Sequence, residues 1–147
     1  MYKIEKEFDY KGYKCSVLFD ELGYYEGYVE IPKFHLFYDR SYALLNDEYG
    51  LNLSYAGTLL PFNDNTFRIG FTCNQRGVKP DSKKVKELWG EKAVVFNYLN
   101  MQKISLIPRE GMILDANHAE TRLKKLVDIV DEYSPKNELV KRIRGEL

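Results

Sequence analysis

The chain is poor in the residues on which most enzymes and metal proteins rely. Its 147 residues include only two histidines and two cysteines. His35 and His118 lie in different segments, and neither has a His or Cys neighbour at ligand spacing, so no compact zinc motif exists. Cys15 and Cys73 form no C-x-x-C pair, which fits a reducing cytosol better than a disulfide scaffold. Both read as small buried hydrophobes. Zinc held by His35, Cys15 or Cys73 with carboxylates would require distant residues to meet, and neither a metal nor another cofactor is expected. There is no GxSxG, P-loop or GxGxxG, hence no sequence signature of a nucleophile elbow or phosphate-cradling glycine loop. No run reaches the roughly 18 apolar residues of a membrane span, and Met1–Glu5 lacks the apolar core of a signal peptide. Net charge is also absent: 22 basic residues balance 22 acidic ones, which argues against non-specific nucleic-acid binding.

Aromatic residues are plentiful, at 14% of the chain, and exclude a disordered polymer. The length suits one domain over 1–147, mainly β with short helices over 1–111 and helical over 112–147. Charge is uneven: residues 1–50 hold six basic and ten acidic side chains, and residues 51–111 hold nine and five. This is either scatter along a solvated surface or a dipole whose basic side receives an anion. Ten of the twelve tyrosines fall within the first 55 residues, as strand propensity favours, or as a ligand or partner surface would require.

The patterning predicts an α+β fold: a twisted antiparallel sheet of about five or six strands with C-terminal helices on one face. Tyr2–Phe8, Cys15–Phe19 and Tyr24–Ile31 read as a meander, closed by Pro32. Residues 51–60 and 67–73 read as a hairpin, with Phe67, Ile69 and Phe71 on one face and Arg68, Gly70 and Thr72 on the other. Gly50, Gly57 and Gly70 mark bends or close backbone approach. Asp81 or Ser82 caps a short helix that Gly90 ends. Residues 93–99 fit strand or helix, and Lys103–Ile107 reads as a strand ended by Pro108. The clearest helix is 118–133, capped by Asn117 with Glu120 in capping-box position and a stripe of Ala119, Leu123, Leu126, Val127, Val130 and Tyr133. Pro135 opens a final amphipathic helix that docks on its own domain or pairs subunits in a homo-oligomer.

Among loop cations, Arg76 in Asn74-Gln75-Arg76-Gly77 is the best placed to grip a phosphate or carboxylate, with Arg68 and Arg40 behind it; the alternative is an exposed loop arginine. The adjacent carboxylates Asp20-Glu21, Asp47-Glu48 and Asp131-Glu132 read as solvent-facing turns.

Several small motifs occur in a recognisable order: Gly23-Tyr24-Tyr25-Glu26-Gly27-Tyr28-Val29, Ile31-Pro32, His35-Leu36-Phe37-Tyr38, Gly50-Leu51-Asn52-Leu53-Ser54-Tyr55-Ala56-Gly57, then Ile69-Gly70-Phe71-Thr72-Cys73. This resembles a family of small uncharacterised phage-encoded proteins whose members read GYxCGYV, a Pro with a GHPxYG-like loop, HGGLTYSG, and WxxGFDCxHxxD. The polar positions depart from the pattern: Glu26 replaces the first Cys, Thr72 the Asp and Gln75 the final His, leaving His35 and Cys73. The resemblance implies an accessory protein acting in the cytoplasm of an infected bacterium, and its lost polar set weakens an enzymatic reading. The expected function is non-enzymatic antagonism of host defence by sequestering a nucleotide-type signal. Tyr24, Tyr28, Tyr38 and Tyr55 would stack on rings, Arg76 would pair with phosphate, and His35 would join them. Two alternatives stand beside it. One is a protein–protein inhibitor of a defence effector, of the anti-CRISPR kind, working through tyrosine hot spots. The other is a small hydrolase or nuclease using His35 with a carboxylate.

Overall fold

A computed structural model describes residues 1–103 and 111–145. In chain order the described elements are β1 (Tyr2–Tyr10), β2 (Tyr13–Asp20), β3 (Tyr25–Glu30), α1 (Tyr42–Tyr49), β4 (Tyr55–Gly57), a 3-10 turn (Leu60–Phe62), β5 (Arg68–Thr72), α2 (Ser82–Trp89), α3 (Glu91–Lys103), α4 (Ala116–Glu132) and α5 (Pro135–Ile143). The strands form one antiparallel sheet in the order β1-β2-β3-β5-β4. The α+β architecture is therefore as the patterning predicts.

The first hairpin turns on Lys11 and Gly12, both at positive φ (51° and 83°), the geometry whose twist matches paired strands. This sets Tyr10 opposite Tyr13, and the register then separates the two faces of the sheet. One face carries Cys15, Val17 and Phe19 from β2, Val29 and Tyr25 from β3, and Ile69 and Phe71 from β5. Against it α4 buries Ala119, Leu123, Leu126, Val127 and Val130. Each of these leucine and valine side chains contributes about 1.5–3 kcal/mol on leaving water. Farther along the same face Trp89 of α2 stacks on Phe19, with ring centroids 5.9 Å apart. Lys84 Nζ lies 4.8 Å and 4.9 Å from the rings of Phe19 and Tyr25 and donates to the Tyr25 hydroxyl. Arg122 of α4 reaches the carbonyls of Asn52 and Thr72 and lies 4.1 Å from the Phe71 ring, tying the helix to the end of β5.

The opposite face is polar. Successive rows across it place Asp9 opposite Lys14 and Glu30 opposite Arg68, Glu7 opposite Ser16, Tyr28 opposite Gly70, and Glu26 opposite Thr72. Between β3 and β5 the two faces interlock. Gly27 lies under the Phe71 ring, where a Cβ would come within 2.6 Å of Cζ, and Gly70 lies under the Tyr28 ring on the other side. Gly70 is the close backbone approach expected of it, whereas Gly50 ends α1 in the left-handed conformation.

Several boundaries differ from the sequence reading. The cap of α4 is Asp115, which accepts from the His118 amide, and not Asn117. Asn117 instead accepts from Lys6, whose ammonium also pairs with Glu120. Cross-chain partners took both supposed capping residues. Residues 93–99 are helical, within α3. Leu51 and Leu53 are buried, yet β4 begins only at Tyr55, because the Asn46 side chain takes both the amide and the carbonyl of Leu53 in place of a neighbouring strand. The strand expected over 103–107 lies outside the described residues beyond Lys103, which ends α3. The cap Ser134 and Pro135 start α5 as predicted, but α5 leans on α4 and leaves Leu139 and Ile143 59% and 77% exposed.

Two substitutions test this construction. Gly70→Ala is expected to cost about 3 kcal/mol by overpacking the β3–β5 interlock. Asp115→Ala is expected to cost about 1 kcal/mol and Asn117→Ala less. Urea unfolding midpoints check both orderings.

Candidate functional site

The polar face and the loops at its end form two adjoining grooves. The first, of about 490 Å³, runs from the β1–β2 turn across the end of β3 to the loop before β5. Tyr13, Tyr38 and Phe67 supply its rings, Lys14 and Lys33 its cations, and Asn65 and Thr66 neutral polar groups. Pro32 ends β3 and turns the chain so that Lys33 and Tyr38 face back toward the strand ends; the Ile31 amide donates to the Phe67 carbonyl at 2.9 Å and fixes the other wall. The Tyr38 ring is half-buried, 5.3 Å from that of Phe67. Among the described residues neither Lys14 nor Lys33 enters an ion pair.

The second groove, of about 400 Å³, shares Lys14 and Glu30 with the first and runs across β1, β2 and the ends of β3 and β5. Four carboxylates line it, Glu7, Asp9, Glu30 and Asp64, together with Ser16, the rings of Phe8 and Phe62, and the cations Lys14 and Arg68. Arg68 organises one side. Its side chain is 3% exposed, it grips both oxygens of Asp64 at 2.8 Å and 3.0 Å and Glu30 at 2.9 Å, and it lies 3.9 Å from the Phe62 ring. Its Nε–H has no partner among the described residues. The pairing holds Asp64 below the usual carboxylate range, chiefly through the hydrogen bonds from Arg68.

The six residues expected to bind ligand do not share one pocket. Tyr38 lines the aromatic groove. Tyr28 and Tyr55 meet edge to face on the polar face at 6.2 Å; Tyr28 is buried, and the Tyr55 hydroxyl donates to the Thr58 carbonyl. Tyr24 is buried in a separate cluster with Val78, and its hydroxyl has no partner. Arg76 is exposed in the turn after Cys73. His35 is buried under the end of α4. Its Nδ1 accepts from the Phe37 amide at 3.0 Å, so Nε2 carries the hydrogen and donates to the Val130 carbonyl at 2.7 Å. Burial holds its pKa below the ordinary value. Both of its nitrogens are engaged by backbone.

Burial also pushes the Cys15 thiol up to about 12, led by desolvation, and raises Cys73 in the same way, so both are inert thiols. Among the described residues no three His, Cys, Asp or Glu side chains gather as a metal ion would require. Sequence reasoning missed Lys14, Lys33 and Glu30, which look like ordinary solvated charges until the sheet places them at the edges of the grooves. Only the position of Lys33 just after the strand-ending Pro32 hinted at it.

A second polar feature was also hidden. Asp20, Glu26 and Tyr28 form a buried cluster on the polar face. Asp20 Oδ1 accepts from the amides of Leu22 and Tyr24 at 3.0 Å each, and the Tyr28 hydroxyl donates to Glu26. Burial first, then the hydrogen bond and negative charge of Asp20, push the Glu26 carboxyl up to about 8. Nothing among known protein families, curated proteins or solved structures matches this chain.

The raised Glu26 pKa has a definite sign in the folding equilibrium. The folded state binds the extra proton, so this contribution is fully present below the ordinary value of 4.5 and is lost as pH rises through about 8. Wild-type stability is therefore expected to fall over that window relative to Glu26→Gln, which carries no titrating proton. Urea midpoints measured at intervals across the window check it; parallel pH profiles would refute it.

Proposed function

We propose that this chain is a non-enzymatic binding protein for a small nucleotide-type ligand, held in the aromatic groove. The observation that carries the reading is the juxtaposition of Tyr38 and Phe67 with Lys14 and Lys33, neither ion-paired among the described residues, in one groove of about 490 Å³. That volume lies within the roughly 300–1,000 Å³ of small-molecule sites. A base stacks on an aromatic face, and ammonium groups neutralise phosphate as point charges. The cations are thus two lysines at strand ends, where the sequence pointed to Arg76. In the infected-cell setting implied by the phage-family resemblance, tight binding alone would withdraw a defence signal from its receptor.

A different observation favours the protein-inhibitor reading. Helix α3 exposes Val95, Phe96, Tyr98 and Leu99, with Phe96 66% exposed, close to the kind of apolar surface a partner covers.

Calorimetry against cyclic dinucleotides, nucleoside diphosphates and ADP-ribose separates the two. Binding of at least one nucleotide is expected, weakened about tenfold or more by Tyr38→Ala and, in a salt-dependent way, by Lys14→Ala with Lys33→Ala. Silence with every nucleotide refutes the reading. A host protein that co-purifies with the chain, and is lost on Phe96→Ser but kept on Tyr38→Ala, would establish the alternative.

A further inference from the structure

We infer that the ligand is a nucleoside diphosphate bearing a terminal sugar, whose sugar occupies the acidic groove. This deepens the reading above and rests on it. The two grooves meet at Lys14 and Glu30, so a ligand whose ring lies on Tyr38 and whose phosphates sit at Lys14 and Lys33 has its next group directed along the sheet into the carboxylate-walled space of about 400 Å³. That space discriminates by chemistry. Ionised carboxylates only accept hydrogen bonds, so they disfavour a further phosphate. A sugar is the neutral group that donates in number, and vicinal hydroxyls match the two oxygens of one carboxylate, the contact by which an acidic side chain reads a ribose diol.

The groove is built to hold its acceptors in place. Glu7 and Asp9 are two residues apart on β1 and project from the same face, opposite Ser16 and Lys14. Glu30 and Asp64 are fixed on the other side by Arg68, a buried guanidinium that orients them and leaves one N–H unpartnered among the described residues. Neither Glu7 nor Asp9 enters an ion pair among the described residues, so both retain their accepting capacity. Lys14 stands at the junction, opposite Asp9, where the negative charge of the linking phosphate falls between the two grooves.

Calorimetry with ADP against ADP-ribose, and with UDP against UDP-glucose, tests this with two bases and two sugars. In at least one pair the sugar-bearing nucleotide is expected to bind at least tenfold more tightly than its parent diphosphate. The Glu7→Gln, Asp9→Asn double variant, altered at two exposed positions of an edge strand, is expected to erase that gain while binding the parent diphosphate at least as tightly as wild type. A gain below twofold in both pairs, or one that survives in the double variant, overturns the sugar assignment while leaving nucleotide binding intact. No binding of any of the four overturns the sugar assignment too, and only silence with the cyclic dinucleotides as well takes the ring-and-lysine reading with it. A circular-dichroism melt matching wild type confirms that the double variant is folded.

Discussion

The register between β3 and β5 governs the rest of the molecule. At adjacent positions the two strands exchange a glycine for an aromatic ring: Gly27 beneath Phe71 on the helix-covered face, Tyr28 above Gly70 on the other. A slip by one residue would drive each ring into a side chain and turn every inward group outward. The same register puts Glu30 opposite Arg68 and brings the Ile31 amide to the Phe67 carbonyl, which joins the walls of both grooves. Glycine is thus used for the space it leaves under a ring.

The sheet separates two kinds of chemistry. Its covered face is a hydrophobic core capped by α4 and α2, with the cationic side chains of Lys84 and Arg122 lying over aromatic rings at its margins. Its other face buries ionisable groups, and each is met in its own way. Arg68 is answered by two carboxylates, Asp20 by two backbone amides, and Glu26 by keeping its proton. The basic excess of residues 51–111 does not make a cationic patch at Arg68, whose charge is cancelled locally. The cations that line the grooves with no ion pair among the described residues come from Lys14 and Lys33, in the acidic half of the chain.

Much of the fold was legible in the sequence, because it was written in local alternation. Phe67, Ile69 and Phe71 read as one face, the stripe from Ala119 to Val130 read as a buried helix surface, and Ser134 with Pro135 read as a helix start. What failed was decided by partners far along the chain. Asn117 and Glu120 have the spacing of a capping box, yet Lys6 engages both and Asp115 caps the helix. Leu51 to Gly57 alternates like a strand, yet Asn46 supplies the pairing for Leu53. The candidate site was less visible still. Tyrosine count pointed to the right half of the chain, but only Tyr38 of the expected residues lines the aromatic groove. No local pattern separates a tyrosine that packs, as Tyr24 does, from one that lines a groove. Lys14 and Lys33 gain their meaning only when a turn and a strand end meet.

His35 joins two parts of the molecule that the sequence keeps 95 positions apart. Its ring bridges the Phe37 amide and the Val130 carbonyl, so the segment that presents Tyr38 is anchored to the last turn of α4 through a single neutral tautomer. Acid that charges the imidazole removes the lone pair Phe37 needs: the stability the neutral ring contributes is whole above the ordinary value of 6.5 and is lost as pH falls through its lower folded value. The placement of Tyr38 and the docking of α4 are therefore linked: whatever holds the helix in place also holds the segment that carries Tyr38, and protonation of His35 would loosen both together.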